Sequence, residues 1–484
     1  MSAYDHRRAE RPAPDAELVA IADYVSSVGI DSGEARETAR LVLMDTLACG
    51  LMALDTPACV RLLGPTVPGG ELAGGARVPG TPYELDPVTA AWNTGAMNRW
   101  LDFNDTWLAA EWGHPSDNLA AILAAADYRG RQARRRGEAE PSMADVLTAM
   151  VKAHEIQGVL ALGNAFNQRG LDHVLLVRVA SVAVATHLLG GERDDIIAAV
   201  SHAWLDGGAL RAYRHAPQAG PRKSWAAGDA AARGVQLALL VQRGEPGYPA
   251  ALSAATWGFE AVCLGGQPLA RERDYGSYVM ENVLFKIAYP AEFHAQTAVE
   301  AAIQLHGEVA GQLDGVERIE IETQAAGARI IDKTGPLSNP ADRDHCLQYM
   351  VAVALIFGRL RASDYEAEVA ADPRIDQLRE RMQVTENPEF TRRYHDPDRR
   401  AIPNALRVVF ADGSSSQRVA VEYPLGHRRR RDEGLPALRV KFEGALSDRL
   451  PARQVDAIRR ACDDPDALAR MPVVDFLALW ATGD

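Results

Sequence analysis

Hydrophobic residues in the first half of the chain recur at three- and four-residue spacing, and each such stretch follows a helix-start signal. Asp31 and Glu34 precede ARETARLVLMDTLACGLMAL, and Asp86, followed by a proline, precedes VTAAWNTGAMNRW. Ser142 precedes MADVLTAMVKAHEIQGVL, whose third residue is Asp145. An oxygen-bearing cap residue with an acid three residues later, or a proline at the first helical position, is typical of helix N-termini. The pattern therefore predicts helices throughout this half.

The pattern of hydrophobic positions changes after about residue 275. Residues 316–324, VERIEIETQ, alternate apolar and polar positions, and residues 405–424 read as two strands joined by an Asp-Gly turn. Helical spacing lies between them, notably from Pro340 to Leu360, and returns in the tail from Pro451. The second half therefore predicts a domain that mixes helices with a sheet.

These changes predict an α+β multidomain fold with four segments. We expect a disordered N-terminus over 1–15, a large, mostly helical domain over 16–275 and a smaller α+β domain over 276–440. Residues 441–484 are expected to form a helical segment that packs back on the helical domain. The charged stretch 132–141 is expected to be a solvated connection. A cleft between the two domains is the natural place for a ligand site.

The composition is that of a soluble globular protein. The chain has 484 residues, of which 47% are hydrophobic and 24% charged, and its formal net charge is −13. Such acidity argues against a nucleic-acid coat or binding to an anionic membrane, so an anionic ligand has to be recognised in a locally basic pocket. Since the chain starts without an apolar signal stretch and contains no run of about eighteen apolar residues, we expect a cytoplasmic protein without membrane partners.

One strongly basic run, Arg428 to Arg431, contrasts with the acidic background. Basic runs can bind phosphates. Asp432 and Glu433 follow at once, so a solvated or salt-bridged turn is the favoured interpretation. A dimer contact and a gate for substrate remain the alternatives.

The cysteines offer no metal motif. They are scattered without any CxxC, which fits neither a disulfide framework nor a zinc or iron–sulfur site: Cys49, Cys59, Cys263, Cys346 and Cys462. We expect most of them to be small core residues and the protein to need no metal or other cofactor.

The connection between two predicted helices near residue 100 concentrates ionisable side chains. Asp102, Asp105, Thr106 and His114 lie there, just before a predicted helix start. Unpaired amides and the positive end of a helix dipole suit such a place to a carboxylate. Two alternatives stay open: a capped turn whose acids only satisfy backbone amides, and a metal site, although no ligand pair has the i,i+4 spacing typical of zinc.

A second segment places Arg222 and Lys223 directly before Ser224 and a long alanine-rich stretch. Cations oppose the dipole at a helix N-terminus, so their presence favours a bound anion at this position. A solvated Arg-Lys pair beside a loop is the alternative.

A third segment clusters Lys286, Glu292 and His294 around the first turn of a helix predicted to start at Pro290. A lone histidine on an apolar helix face is more often a hydrogen-bonded core residue than a catalyst, so His294 has both interpretations.

A fourth segment carries His345 and Tyr349, which are one turn apart in the predicted helix that starts at Pro340. That spacing would place both side chains on one face of the helix. Tyr349 is equally readable as a core residue.

Four strings in these segments resemble signature stretches of the MmgE/PrpD family, most closely its 2-methylcitrate dehydratase members. EWGHPSDN, GPRKSWAAGDAA, FKIAYPAEFHAQTAVEAA and DRDHCLQYMVAVAL occur in the family's order, and the similarity runs from about Ala16 to the C-terminus. The resemblance implies a helical domain with a smaller α+β domain, a homodimer, an active site in the interdomain cleft and no iron–sulfur cluster. It also implies a hydro-lyase that converts 2-methylcitrate to 2-methyl-cis-aconitate in propionate catabolism by the methylcitrate cycle, with citrate as a further substrate to test.

The family is also similar to cis-aconitate decarboxylase, and this likeness suggests site residues one position at a time. Asp102 and His114 match an aspartate and a histidine of its strings, and Thr106 matches a threonine. Lys223 and Lys286 match two lysines that precede comparable stretches.

Further site residues follow from the same likeness, and three departures count against decarboxylation. Two extra residues lie between Thr106 and His114, a decarboxylase histidine is replaced by Glu292, and its site tyrosine falls around Gln324. Another tricarboxylate lyase and a non-catalytic tricarboxylate-binding protein remain the alternatives. The expected catalytic residues are Asp102, His114, His173, Lys223 and Lys286, and the expected substrate-binding residues are Thr106, Arg222, Glu292, His294 and His345.

Overall fold

The computed structural model describes residues 11–215, 218–396 and 398–482. Most of the N-terminus predicted to be disordered, residues 1–10, lies outside the described residues. The remainder of that segment is bound to the helical part, because the Asp15 carboxylate accepts a hydrogen bond of 2.7 Å from the backbone N–H of Leu252.

The first part of the chain is built mainly from helices. They are α1 (Ala16–Ser27), α2 (Gly33–Ala53), α3 (Pro57–Val60), α4 (Pro87–Arg99), α5 (Leu119–Arg136), α6 (Met143–Gly163), α7 (Val174–Leu188), α8 (Arg193–Leu205), α9 (Arg222–Val241), α10 (Phe259–Cys263) and α11 (Tyr278–Asn282). Two short antiparallel hairpins are inserted between them, formed by β1 (Ala76–Arg77) with β2 (Glu84–Leu85) and by β3 (Trp107–Leu108) with β4 (Trp112–Gly113).

The second part mixes helices with a sheet. It contains α12 (Gln296–Val309), β5 (Val316–Thr323), α13 (Ala325–Ile331), α14 (Pro340–Arg343), α15 (Leu347–Phe357), α16 (Ala367–Ala370), α17 (Pro373–Arg379), β6 (Met382–Glu386), α18 (Pro388–His395), β7 (Asn404–Phe410) and β8 (Val419–Val421). The chain ends with α19 (Arg431–Ser447), α20 (Ala452–Asp463), α21 (Pro465–Arg470) and α22 (Val473–Ala478). The predicted α+β fold class is confirmed.

The three helix starts predicted from capping residues in the first half agree with the observed caps to within one residue. Asp86 accepts hydrogen bonds from two backbone N–H groups in the first turn of α4, and Ser142 and Asp145 form a reciprocal capping box at α6. At α2 the cap is Ser32, whose hydroxyl accepts from a backbone N–H at 3.1 Å, rather than the predicted Asp31. Such capping side chains satisfy backbone donors that have no partner inside the helix.

Close packing of α4 on α9 fixes where two site segments meet. A Cβ added at Gly95 in α4 would lie 2.5 Å from the Cα of Gly228 in α9, so the two backbones touch at this point. Only glycine permits that distance. The contact holds the end of α4, which carries Arg99, near the start of α9, which carries Lys223.

The α+β part has a four-stranded sheet in the order β6-β5-β7-β8. β5 is parallel to β6 and antiparallel to β7, and β7 is antiparallel to β8. Ile319 and Ile321 are buried at alternate positions of β5, as the sequence predicted, and form one core with apolar residues of α12 and α15.

The C-terminal helices belong to the core of the helical part. Leu438, Phe442, Phe476 and Trp480 are buried in it, each side chain contributing roughly 1.5–3 kcal/mol by leaving water. Because α19 begins at Arg431, the boundary predicted at 440 falls inside this helix.

Three predicted elements require correction. The first half of the stretch 132–141 is helical, because α5 extends to Arg136. Gly137, with a left-handed φ of 69°, ends the helix. The helix predicted to start at Pro290 begins at Gln296, after a 3₁₀ turn.

The helix predicted from Pro340 to Leu360 is also wrong as one element, because it is divided into α14 and α15. His345 lies in the break, while the Tyr349 hydroxyl donates to the carbonyl of Asp364 at 2.6 Å. The two side chains therefore do not share one helix face.

The arginine run is a salt-bridged connection between the two parts. Arg428 bonds to Glu34 of α2 at 2.9 Å, and Arg430 bonds to Glu300 of α12 at 2.9 Å. A 3₁₀ turn over the first three arginines precedes α19.

Candidate active site

A cleft between the helical part and the α+β part collects most of the predicted site residues. Its empty space is about 710 Å³, the open mouth included. The predicted residues that line it are Asp102, Thr106, His114, His173, Lys286, Glu292 and His345. Lys223 and His294 are not among the lining residues, although each contacts one of them, and Arg222 lies outside the cleft.

The wall of the cleft is cationic although the protein as a whole is acidic. Two carboxylates, Asp102 and Glu292, line it together with five cations: Arg99, Arg211, Arg214, Lys286 and Lys333. A low-dielectric cavity lined by charges of one sign concentrates ligands of the opposite charge. The cleft is therefore suited to a small anion with several carboxylates.

Asp102 forms the centre of a buried ionic network. Its Oδ1 lies 2.5 Å from both Arg99 Nη1, at the end of α4, and Lys286 Nζ. Its φ of 49° is unusual for a residue other than glycine and has to be offset by these contacts. Burial raises the pKa of Asp102, but the charges of Arg99 and Lys286 outweigh it and hold that pKa well below the usual range. Asp102 is therefore a fixed anion.

His114 is held as a neutral imidazole of one tautomer. Its Nδ1 lies 2.6 Å from the carbonyl oxygen of Asp105 and must donate to it, while its Nε2 lies 2.8 Å from Arg99 Nη2 and must accept. Thr106 Oγ1 lies 3.3 Å from Nδ1. Burial and the charges of Arg99 and Lys286 lower the pKa of His114 well below its ordinary value.

His173 precedes α7 and faces the same space, its ring 5.7 Å from that of His114. Its Nδ1 lies 3.4 Å from Asp172 Oδ1, and its buried Nε2 has no hydrogen-bond partner among the described residues. The Asp172 carboxylate is also paired with Arg214. Burial lowers the pKa of His173 well below its ordinary value.

The anion predicted at the start of α9 is supplied by the protein itself. Lys223 Nζ donates to the Asp344 carboxylate and, at 3.3 Å, to the carbonyl of Ala341. Burial lowers the pKa of Lys223. The lysine therefore lies behind the cleft wall, where it contacts His345 with its Nζ 3.0 Å from Nδ1.

His345 is oriented by this pair and leaves one nitrogen for the cleft. Its Nδ1 lies 2.7 Å from Asp344 Oδ1 and donates to it, because a carboxylate only accepts. The ammonium of Lys223 donates to Asp344 and Ala341 and is a neighbour of Nδ1 rather than its hydrogen-bond partner. Among the described residues no protein group bonds to its Nε2, and the side chain lines the cleft. Burial, and then the charge of Lys223, lower the pKa of His345. The result is a neutral imidazole with an available lone pair.

Glu292 and His294 form a local pair. Glu292 accepts from both the backbone N–H and Nδ1 of His294, each at 2.8 Å, while His294 Nε2 lies 3.1 Å from the Tyr394 hydroxyl. Burial raises the pKa of Glu292, but the interaction with His294 outweighs it and brings that pKa to about 2. His294 therefore supports Glu292 from behind the wall.

Arg222 is placed away from the predicted substrate site. Its guanidinium lies over the ring of Trp225 at 4.4 Å and that of Tyr213 at 5.3 Å, and 43% of its side chain is exposed. These aromatic contacts direct it to the surface of the helical part.

Sequence reasoning missed four cations of the cleft, Arg99, Arg211, Arg214 and Lys333. Arg211 Nη1 and Lys333 Nζ are buried without a hydrogen-bond partner among the described residues. Three basic residues within the five of RAYRH, residues 211–215, were a usable signal in so acidic a chain. We find no sequence signal for Lys333.

Lys441 of the C-terminal α19 contacts the backbone of two segments that form the site. Its Nζ lies 2.7 Å from Asp45 Oδ1, and 2.8 Å from the backbone carbonyls of both Phe103 and Lys286. One ammonium thus joins the segment that follows Asp102 to the segment of Lys286. No local sequence signal indicates this role for the tail.

The metal alternative for Asp102, Asp105 and His114 finds no support in the geometry. Asp105 accepts from the Ser116 backbone N–H at 3.0 Å and lies 2.9 Å from His154 Nε2. Its carboxylate therefore has different partners from the carboxylate of Asp102. Over residues 11–215, 218–396 and 398–482, no group of three His, Cys, Asp or Glu side chains is arranged to hold a metal ion.

Comparison with protein families accounts for nearly the whole chain. Residues 19–272 match the MmgE/PrpD N-terminal domain, and residues 289–464 match the MmgE/PrpD C-terminal domain. The chain belongs to the MmgE/PrpD family. Its two MmgE/PrpD domains lie on opposite sides of the cleft, and Lys286 falls in the interval between them.

Proteins that are similar to this chain over nearly its whole length carry the name 2-methylcitrate dehydratase. That of Cupriavidus necator is 60% identical over 480 residues, which cover 99% of both chains. That of Salmonella typhimurium is 59% identical over 473 residues, covering 97% of this chain and 98% of its own. The mitochondrial enzyme of Yarrowia lipolytica is 52% identical over 478 residues, covering 98% and 92%. The predicted family resemblance is confirmed. No helix within the described ranges is long and apolar enough to span a membrane.

Proposed function

We propose that this chain is a hydro-lyase that dehydrates 2-methylcitrate to 2-methyl-cis-aconitate. The observation that carries the proposal is that one cationic cleft joins a neutral histidine with a free nitrogen to two cations, Arg211 and Lys333, that each have a nitrogen without a hydrogen-bond partner among the described residues. The full-length similarity to named 2-methylcitrate dehydratases supports the same substrate.

The reaction places three demands on the cleft. A proton leaves a carbon next to a carboxylate, the neighbouring hydroxyl departs as water, and negative charge grows on the carboxylate during the step. A base, an acid and fixed cations meet these demands, and correctly placed proton transfer contributes on the order of 10²–10⁴-fold.

His345 is our candidate for the base. The Asp344 carboxylate holds the proton on Nδ1, so that Nε2 presents its lone pair to the cleft. The lowered pKa keeps the imidazole neutral at pH 7 and ready to accept a proton. Lys223 keeps the pair in place through Asp344.

Lys286 is our candidate for the acid. Asp102 accepts from its ammonium through the carboxylate at 2.5 Å and through the backbone carbonyl at 2.9 Å, which leaves one of its three N–H groups for the leaving hydroxyl. Burial lowers the pKa of Lys286, which makes it a stronger acid than an exposed lysine.

The substrate carboxylates are assigned to cations that have free donors. Arg211 Nη1 and Lys333 Nζ have no hydrogen-bond partner among the described residues, and a bound carboxylate would supply one to each. Arg99 adds a third positive charge beside His114. The proposed roles of His114 and His173 are to shape this surface as neutral groups.

Incubation of the purified protein with 2-methylcitrate, citrate and cis-aconitate tests the proposal. We expect an unsaturated tricarboxylate from 2-methylcitrate, seen as a rise in ultraviolet absorbance and a loss of one water in the mass spectrum. The activity should persist with EDTA, since the cysteine spacing offers no cluster motif. Release of carbon dioxide from cis-aconitate, or binding of all three acids without conversion, would reject it in favour of the alternatives.

The family resemblance also leads us to propose a homodimer. Light scattering at micromolar concentration should give twice the chain mass of 52.4 kDa. A monomer mass would contradict this proposal without affecting the proposed reaction.

A further inference from the structure

A second pocket lies on the other side of the cleft wall formed by Leu108. It is bounded by four arginines, Arg399, Arg400, Arg428 and Arg429, and Leu108 lines both spaces. The empty space of this pocket is about 800 Å³, open mouth included. Among the described residues that line it, Asp398 is the only one with a carboxylate.

Two of the four arginines have protein carboxylates near them. Arg428 bonds to Glu34 at 2.9 Å, and Arg399 lies 3.5 Å from Asp396 and 3.6 Å from Glu422. The other two arginines carry the remaining half of the positive charge around the pocket.

Arg400 and Arg429 have no carboxylate within ion-pair distance among the described residues. Arg400 donates to the carbonyl of Leu108 at 2.8 Å and lies over the ring of Trp107, while its buried Nε has no partner in that part of the chain. Arg429 donates to the backbone carbonyl of Asp398 at 2.9 Å and lies over the ring of Tyr423.

These contacts position the two guanidiniums without neutralising them. Stacking on an aromatic ring contributes roughly 0.5–1 kcal/mol at an exposed site, but it supplies no counter-ion to either charge, and the Nε of Arg400 is withdrawn from water without a partner among the described residues. Guanidinium forks match the planar geometry of carboxylates and the oxygens of phosphates. A small polyanion would satisfy both arginines at once.

We propose that the pocket bounded by Arg399, Arg400, Arg428 and Arg429 is a second anion site, which binds a small polyanion bearing carboxylates or phosphates apart from the catalytic cleft. The site is connected to the cleft through Arg400, whose Nη1 holds the carbonyl of the residue that separates the two spaces. A bound anion would compete for that guanidinium and so act on the cleft wall.

Calorimetric titration of the full-length protein tests this site with two probes. Propane-1,2,3-tricarboxylate lacks the hydroxyl that dehydration removes, and inorganic pyrophosphate represents the phosphate source. We expect at least one probe to bind with two equivalents per chain, one of them in the cleft. A second equivalent of the tricarboxylate alone assigns a carboxylate ligand, and one of pyrophosphate alone assigns a phosphate ligand.

Variants locate the second equivalent. Arg429→Gln and Arg400→Gln are each expected to weaken it about tenfold or more, because a charge-assisted hydrogen bond is lost. The matched control is Arg439→Gln on the exposed side of α19, whose partner Asp463 lies 3.2 Å away, and it should change neither equivalent. If Arg400→Gln fails to fold, as judged by circular dichroism, the exposed Arg429 decides the question.

One equivalent of each probe in the unaltered protein would overturn the proposal. So would two equivalents that persist at full affinity in Arg429→Gln. Dehydratase activity is measured separately, so either failure leaves the assignment of the catalytic cleft untouched.

Discussion

Two walls of the cleft differ in how their ionisable groups are paired: a first wall around Asp102 and His114, and a second wall of His345 and Lys333 in the α+β part. In the first, Asp102 bonds to two cations and both ring nitrogens of His114 are occupied. In the second, His345 keeps Nε2, and Lys333 keeps Nζ, free of hydrogen bonds to the described residues. Both walls are buried and strongly charged, so burial alone does not separate them.

The difference shows which groups are available to a substrate. A network closed on itself fixes positions and the local electric field, and it needs no reorganisation during reaction. A group with an unsatisfied donor or lone pair gains its partner only when a ligand enters. We therefore expect variants of the first wall to change stability most and variants of the second to change catalysis most.

The largest effect is expected for His345→Asn, which removes the proposed base from the open wall. Turnover should fall roughly 10²–10⁴-fold, while the melting temperature changes little. In the unaltered enzyme kcat/KM should fall on the acid side only below a pH of about 6.5, the ordinary imidazole pKa. The reason is that burial and the charge of Lys223 lower the pKa of His345. Steady-state kinetics between pH 5 and 8 measure both.

The matched control for that variant is His395→Asn. His395 is exposed at the end of α18 and does not line the cleft. It should retain full turnover. Equal losses in the two variants would remove His345 from the proposed mechanism.

Asp102→Asn tests the closed wall and should act first on stability. Removing one partner of a buried ion pair leaves uncompensated charge, which costs about 3–5 kcal/mol of unfolding free energy. Because the folded pKa of Asp102 is depressed, its contribution is complete above the unfolded value of about 3.9 and is lost as pH falls through the folded pKa.

Urea denaturation of both proteins at pH 7 and at about pH 3, below the unfolded value, measures that contribution. The difference between the unaltered protein and Asp102→Asn should be larger at pH 7 and smaller at the lower pH. A difference below 1 kcal/mol at pH 7 would contradict the closed network.

Lys333→Met should weaken catalysis without weakening the fold. One free carboxylate contact is lost, so kcat/KM should fall roughly 10- to 100-fold, as expected for a hydrogen bond to a charged group. The rise in melting temperature that 2-methylcitrate produces should shrink, because that rise depends on affinity for the folded state. An unchanged thermal shift would show that Lys333 does not contact the substrate.

The smallest effect is expected for Arg222→Gln. This arginine lies outside both walls, so kcat/KM should stay within about twofold, and loss of its aromatic contacts should cost at most about 1 kcal/mol of stability. Kinetics and a thermal melt suffice to test it. A large rise in KM would restore Arg222 as a substrate-binding residue.

The fold was largely predictable from local signals. Capping residues such as Asp86 and Ser142 and the alternation along β5 act within a few residues of the chain, so their effect is legible without a structure. The break between α14 and α15 that exposes His345 could not be predicted, because the apolar spacing continues on both sides of it.

The segments of the candidate site were identified from the sequence, and the family resemblance put them in order. What the sequence left undecided was the pairing of charges over long separations. Whether Lys223 meets a substrate or Asp344, 121 residues further on, depends on how two domains pack. The same holds for Lys441, which supports the segments of Phe103 and Lys286 from the far end of the chain.

The sequence by itself therefore determined which residue types are present and which short segments carry them, since helix caps, strand alternation and signature strings are local properties. Only the tertiary structure decided which ionisable groups neutralise one another and which remain open to a ligand. The physical reason is that hydrogen bonds and ion pairs depend on distances of about 3 Å between atoms, whatever their separation along the chain. Asp102 and His345, both predicted site residues, have different roles for this reason.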